Sequence, residues 1–553
     1  MANYLIPRPP RRGIRGIICL TYRDLSLPYG QGNPTSLKVF VLIRLFVGSA
    51  VCALISTVAT PACAQSLDPS QTGSAQTDPT AGNPPVGPTT VRSPTSPDQG
   101  YPYEAQGYGA TTGGYNVSRW AEDWTKFKDP AKRNDLLDAL KYISIDDASD
   151  TYLTLSGEIR ARVNSTSNQG LVETDAQRLD ILRVVGGADL HIGDHFRAYG
   201  ELANGTVGGV NTGAVPATQR NDLFLQQAFA DVYGKVGNVE VGVRGGRQEY
   251  TDAISLLLSA RDNNALMFVL DGVRGWVKGK TVRADVFDFN FVSTGTEGIS
   301  DDKTNGNTRF SGISGGLVIP KTWLGGSKLY FDPLLWRLRS RNQSWGGVRA
   351  REERVYYGAR LWGTAGPVTV DYTVTREEGD FNGRPIKAWQ VFLAQTYRLS
   401  KATAAPRIGL RGDYGSGGDA FDQTKPLRTS FSPFGNNIYY TYGVFVAPIN
   451  FLAAAPNVSF TPIRKVRVTA EYEFMWRSTM RDAVYRSNGM PYAGTQNVDG
   501  RKIGEAARLQ AVWSIAPRLS FTGRLEHVKA GDALTNAGYK SSNFGAGWLS
   551  FRF

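Results

Sequence analysis

Beyond residue 64 the chain has no cysteine: Cys19, Cys52 and Cys63 all fall in the first 64 of its 553 residues. Disulfide staples and thiolate metal sites are thereby excluded from everything downstream. Histidine is also scarce, with only His191, His195 and His527. A hydrolase needs a nucleophile beside a base, whereas His191 and His195 flank an expected turn and His527 falls on an apolar phase near a strand end. The reading is therefore not an enzyme. No stretch after residue 64 offers about twenty consecutive apolar residues, so helical membrane spans are excluded. If the chain crosses a membrane, it must do so as a closed barrel that pairs every backbone group.

What is present begins with a targeting pattern. Lys38 and Arg44 precede an apolar run over residues 45–60, which ends in Ala62-Cys63-Ala64 before Gln65. A basic region, an apolar core and a small-x-small site predict a signal peptide region over residues 1–64 with cleavage after Ala64. Its removal takes away seven Lys/Arg and one acid, and the formal charge falls from +13 to +7. No stretch concentrates that excess into a basic tail, so nucleic acid is not expected as a partner. Residues 65–117 are rich in Pro, Gly, Ser and Thr with few large aliphatics, which predicts a disordered leader. Residues 118–150 carry Trp120, Trp124, Phe127, Leu136, Leu137, Leu140 and Tyr142 at spacings near three and four. One or two short amphipathic helices at a periplasmic mouth are expected there.

Residues 151–553 alternate. In KVRVTAEYEFMWR (residues 465–477), Val466, Val468, Ala470, Tyr472, Phe474 and Trp476 share one face, while Arg467, Thr469, Glu471, Glu473 and Arg477 share the other. Strand side chains point alternately to opposite sides, so one segment meets two solvents. The pattern recurs in YLTLSGEIRARV (residues 152–163), with Leu153, Leu155, Ile159, Ala161 and Val163 outward and Glu158, Arg160 and Arg162 inward. Eight short connections are expected, at residues 192–194, 235–237, 278–280, 320–326, 363–365, 401–405, 462–464 and 516–518. The intervening ones read as long and polar, as at residues 205–220, 293–307 and 478–502. Short periplasmic turns and long outer loops are the usual asymmetry of outer-membrane barrels. Eight turns with both chain ends inside predict about 18 antiparallel strands. Even parity assigns the strand-like residues 438–448 to a long outer loop beginning near Ser416. The chain closes on FGAGWLSFRF, with Gly547, Leu549, Phe551 and Phe553 outward. A terminal phenylalanine there looks like the signal read by the barrel assembly machinery, and the expected location is the bacterial outer membrane, in contact with its lipid.

Inward positions collect Arg160, Arg162, Arg183, Arg197, Arg244, Arg283, Arg411, Arg467, Arg477, Arg508 and Arg524, with acids at Glu158, Asp189, Glu201, Asp285, Asp413, Glu471, Glu473 and Glu526. Opposite charges on neighbouring strands form ladders that hold a barrel's shape, and rings of arginine favour anions. The guanidinium fork also matches carboxylates. Asp413, Asp419 and Asp422 carry oxygens of the kind calcium takes and are equally ordinary loop residues, so no metal or cofactor is expected.

The order of motifs resembles the alginate export family of outer-membrane β-barrels over residues 152–553. LQQAFADV (residues 225–232), GRQEY (246–250), SARDNNALMFVLDGVRG (259–275), RIGLRGDYGSGG (407–418) and FMWRSTMRDAVY (474–485) carry the resemblance. It implies an eighteen-stranded barrel with a narrow basic lumen and gating loops, passing an acidic polysaccharide. It nominates Arg247, Arg261, Arg274, Arg411, Asp413, Arg477, Arg481 and Asp482. The expected function is passive passage of an anionic polysaccharide through an arginine-rich lumen. The alternative is an anion-selective porin for small organic or sugar acids.

Overall fold

A computed structural model describes residues 101, 114–322, 327–400, 402, 406–432 and 434–553. The targeting segment and most of the leader lie outside the described residues, as do parts of the turns expected at 320–326 and 401–405. A short strand β1 (Ile143–Asp146) precedes eighteen barrel strands. The first nine are β2 (Thr151–Thr166), β3 (Gln177–Ile192), β4 (Phe196–Val210), β5 (Asn221–Val236), β6 (Val239–Gln248), β7 (Leu270–Lys278), β8 (Val282–Ser293), β9 (Lys303–Val318) and β10 (Lys328–Trp345). The rest are β11 (Val348–Ala365), β12 (Val368–Phe381), β13 (Arg384–Arg398), β14 (Arg407–Gly415), β15 (Phe451–Ile463), β16 (Val466–Trp476), β17 (Lys502–Ala516), β18 (Leu519–Ala530) and β19 (Ser542–Arg552). Each pairs antiparallel with the next, and β19 closes onto β2 with Gly547 opposite Val163 and Phe551 opposite Ile159. Closure leaves no edge, which is the condition for a strand wall in lipid. Among the described residues no helix is long and apolar enough to cross a membrane.

The burial pattern is inside out relative to a water-soluble sandwich. Ile159, Val163, Val232, Val243, Leu410 and Leu525 are exposed, while Glu158, Arg160, Arg411, Glu473 and Arg508 are buried. The alternation on β2 and β16 is that expected from sequence. At the closing seam, Gly157 and Phe553 exchange backbone hydrogen bonds of 2.9 and 3.1 Å. A β-carbon at Gly157 would lie 2.5 Å from the Phe553 ring, so the terminal aromatic rests where only glycine leaves room.

Several expected boundaries move. The turn read at residues 363–365 is made by Gly366 and Pro367. Gly363 lies inside β11 at φ +125, where a β-carbon would be 2.1 Å from the Lys328 carbonyl. Its glycine serves close strand approach rather than a turn. The turn read at 462–464 is likewise centred on Arg464 and Lys465, the latter at φ +71. Two outer connections are tight rather than long: Gly346-Gly347 and Asn382-Gly383, all four residues at positive φ, as primed hairpin turns require. The ends of residues 205–220 and 293–307 extend β4, β8 and β9, leaving 211–220 and 294–302 as the connections.

Residues 416–450 form the long outer loop that parity demanded, but it folds inward. Leu256 and Leu258 of loop 249–269, Phe434, Tyr440 and Phe445 of loop 416–450, and Val484 and Tyr492 of loop 477–501 share one buried apolar cluster. Each such side chain contributes roughly 1.5–3 kcal/mol on burial. The segment over residues 118–150 is less helical than expected. It forms three short 3₁₀ turns, one four-residue helix α1 (Leu136–Ala139) and β1, which pairs with β2. Pro130 and closely spaced Asp residues break the helical run into capped single turns, as where Asp135 accepts from Leu137 and Asp138. The packed body also reaches back before residue 118. Tyr115 and Val117 are buried, and Tyr101 packs against Tyr330 and Trp362.

Candidate functional site in the barrel lumen

The chemistry of the lumen is set by where its arginines end. Loop 249–269 turns tightly at residues 261–264, with the Asn264 amide donating to the Arg261 carbonyl at 3.0 Å. That turn aims Asp262 and Asn263 at the wall formed by β2, β3 and β18. Arg160 reaches the Asp262 carboxylate at 2.9 Å and Arg183 reaches it at 2.6 Å. Beneath them Glu158 faces Arg160 at 2.8 Å and Arg183 and Arg552 at 3.5 Å. Buried charges persist only when compensated in this way.

One step around the wall the compensation changes character. Arg162 donates to the Asn263 carbonyl at 2.8 Å and its side-chain oxygen at 3.0 Å, and Arg524 donates to that same side-chain oxygen at 2.9 Å. Both guanidinium groups lie 4.8 Å from the Trp548 ring. Among the described residues neither arginine is in an ion pair. They are two cations held by an amide and an aromatic face.

The adjoining wall, formed by β14, β16 and β17, anchors loop 416–450. Arg411 pairs with Asp413 and, at 2.6 Å, with Glu473, while Arg508 pairs with Glu471 and, at 2.6 Å, with Glu473. Both arginines also donate to the Tyr439 carbonyl, at 3.2 and 2.8 Å. Further around, Arg197 pairs with Asp189 at 2.7 Å, Arg244 with Asp231 at 2.7 Å, Arg247 with Asp271 at 2.8 Å and Arg274 with Asp285 at 2.8 Å. Ladders thus account for most nominated wall arginines.

The nominees near the outer mouth separate. Arg477 donates to loop carbonyls, at 2.6 Å to Thr495 and 3.0 Å to Val498, and so clasps loop 477–501. Asp482 is buried and accepts from the Gly418 amide at 2.8 Å and the Tyr485 hydroxyl at 2.7 Å, joining that loop to 416–450. Arg481 is exposed, 4.0 Å from Asp419, outside the lumen network. Arg261 lies over the Phe268 ring at 5.2 Å, and its two successors make the wall contacts. Asp413, Asp419 and Asp422 do not converge, and among the described residues no His/Cys/Asp/Glu group could hold a metal.

At the periplasmic end, sequence reasoning placed residues 118–150 at the mouth but missed that their first residues enter the barrel. Arg119 enters the barrel to pair with Glu158 and, at 3.0 Å, Glu201, and the Trp120 indole donates to Glu249 at 2.7 Å. Arg244 stacks 3.9 Å from the Trp120 ring. Outside the strands, Arg518 reaches Asp138 at 2.5 Å and hydrogen-bonds Asp135, holding the Asp135 carboxyl below its ordinary range. Glu122 and Lys141 lie 3.5 Å apart, and burial pushes the Glu122 carboxyl up and the Lys141 ammonium down. Aromatic spacing flagged this segment but could not show that it enters the lumen. Trp548 had a legible signal, as an aromatic on the inward phase of the closing strand.

Comparison with known proteins follows the same lines. OccAB1 of Acinetobacter baumannii shares the fold with a TM-score of 0.50 at 12% identity, covering 72% of this chain and 96% of that one. OccK5 (OpdH) of Pseudomonas aeruginosa superposes with a TM-score of 0.48 at 14% identity, covering 72% and 98%. No curated protein matches in sequence. The family model for alginate export matches residues 151–547, the whole barrel up to its last strand. With its closed eighteen-stranded wall and inward charges, the chain belongs to the alginate export family and is an outer-membrane channel protein, of a family and fold used for transport rather than enzymatic chemistry.

Proposed function

We propose that this channel passes an anionic polysaccharide built of uronate-like sugars, and that the tip of loop 249–269 closes it in the conformation described. The observation that carries the reading is the Arg162–Trp548–Arg524 cluster. Most wall arginines are neutralised by acids, but these two are held by Asn263, which brings no charge. When the tip withdraws, two forked donors remain for a carboxylate, with an indole between them for the apolar face of a sugar ring. Acids on the adjoining ladders keep each contact weak enough to release, as conduction requires. The lumen arginines of the strands are nearly all buried, which supports passage by loop movement followed by passive diffusion.

The test is single-channel current in planar bilayers, first with chloride, then with added uronate oligomers. Blockade by micromolar oligomers, lost in Arg162→Gln/Arg524→Gln, supports the polysaccharide reading. Current that oligomers leave untouched but small organic or sugar acids reduce makes the chain a metabolite porin instead.

A further inference from the structure

Cross-strand register on the outer wall shows where the lipid-facing surface changes chemistry. Val286, Ile313, Leu335 and Tyr357 stand in one outward row across β8 to β11. Two residues higher on β10, toward the Gly346-Gly347 hairpin, Arg337 stands on that face, and two higher again Arg339. Arg339 is directly opposite Arg309 of β9. Like charges in register repel, and nothing in the packing of a barrel wall requires them there. Asp288 engages Arg309, and Glu353 engages both Arg337 and, at 3.4 Å, Arg339, so two carboxylates stand among three guanidinium groups. Above them Arg341, Arg349 and Arg351 are exposed, and among the described residues none of the three is in an ion pair. On β12 and β13 the Arg337 row continues with Glu378 and exposed Lys387, while Arg376, opposite Tyr357 in the row below, pairs with Glu378.

A belt of this sign at this height meets one particular chemistry. The outer leaflet of the bacterial outer membrane is a phosphorylated glycolipid whose phosphates lie just above its acyl chains. Guanidinium groups bind phosphate as forked donors and are favoured where several converge. We propose that the outward face of β9–β11 is a seat for the diphosphorylated headgroup of that outer-leaflet glycolipid, with Arg309 and Arg339 bracketing one phosphate and Arg341, Arg349 and Arg351 engaging the other. The belt faces lipid, on the other side of the wall from the lumen cluster, so the site is independent of what the channel carries. Occupancy adds a phosphate to the carboxylates already facing Arg309 and Arg339 and ties the two-residue hairpin at Gly346-Gly347 to the membrane surface.

The test uses the purified full-length barrel in detergent, offered equal amounts of diphosphoryl lipid A and its dephosphorylated form, with native mass spectrometry reading which is retained. Retention of the diphosphoryl lipid by about tenfold or more is expected, as several converging surface cations imply. The variant Arg309→Gln/Arg339→Gln/Arg341→Gln is expected to retain both equally, with single-channel conductance unchanged. Equal retention by the native protein overturns the proposal, whether or not the variant folds. So does an undiminished preference in a folded variant.

Discussion

Asp262→Asn isolates the closure of the channel from the assembly of the barrel. The carboxylate receives Arg160 and Arg183 at 2.9 and 2.6 Å, is nearly buried, and belongs to a turn that contributes nothing to strand pairing. Asparagine keeps the volume but removes the charge that both arginines face. Breaking a buried pair by removing one partner costs about 3–5 kcal/mol. Glu158 remains within 3.5 Å of both arginines and takes up part of the loss, so the lower figure applies. About 3 kcal/mol is roughly a 150-fold change in an equilibrium. A withdrawn tip present at about one part in a thousand would rise to roughly one in seven, enough to be seen as frequent openings. The assay is open probability and unitary conductance in planar bilayers, with heat-modifiable migration on gels confirming a folded barrel. Unchanged open probability and conductance in the folded variant would refute the argument that this turn is the gate.

The periplasmic closure gives a second handle. Trp120→Ala removes the indole that donates to Glu249 and stacks under Arg244, and is expected to expose the segment to trypsin several-fold faster while the barrel core stays resistant. Docking of that segment should depend on pH. Burial raises the Glu122 carboxyl, so the docked state prefers the protonated acid. Docking is complete below the ordinary carboxylate range and weakens as pH climbs through the raised value. The lowered Lys141 opposes this only as pH rises toward its own range, and Asp135, held low by Arg518, titrates below the window. Tryptic release that grows as pH rises above the ordinary carboxylate range, and is flat in Glu122→Gln, is the expected result. A flat profile in the native protein would contradict it. At Gly363 the β-carbon of any replacement would lie 2.1 Å from a backbone carbonyl at positive φ, so Gly363→Val is expected to abolish assembly into a heat-modifiable barrel. Normal assembly of that variant would contradict the close-approach role given to the glycine.

The alternation determined more of this protein than any motif did. With no long apolar run and no downstream cysteine, strands such as β2 and β16, apolar on one side and charged on the other, leave a closed barrel as the solution in lipid, and turn counting with even parity yields eighteen strands. Period-two patterning reports which side a residue faces, so Arg160, Arg411 and Arg508 were legible as inward. What they would touch was not. Asp262, Asn263 and Tyr439 come from loops whose sequences carry no periodicity, and their places are decided by apolar burial among three loops far apart in the chain. The same holds for Arg119 and Trp120, whose partners Glu158, Glu201 and Glu249 lie 39, 82 and 129 residues away. Local chemistry sets the wall; only tertiary structure, by bringing distant loops into a charged interior, decided which arginines face acids and which two face Asn263 and Trp548.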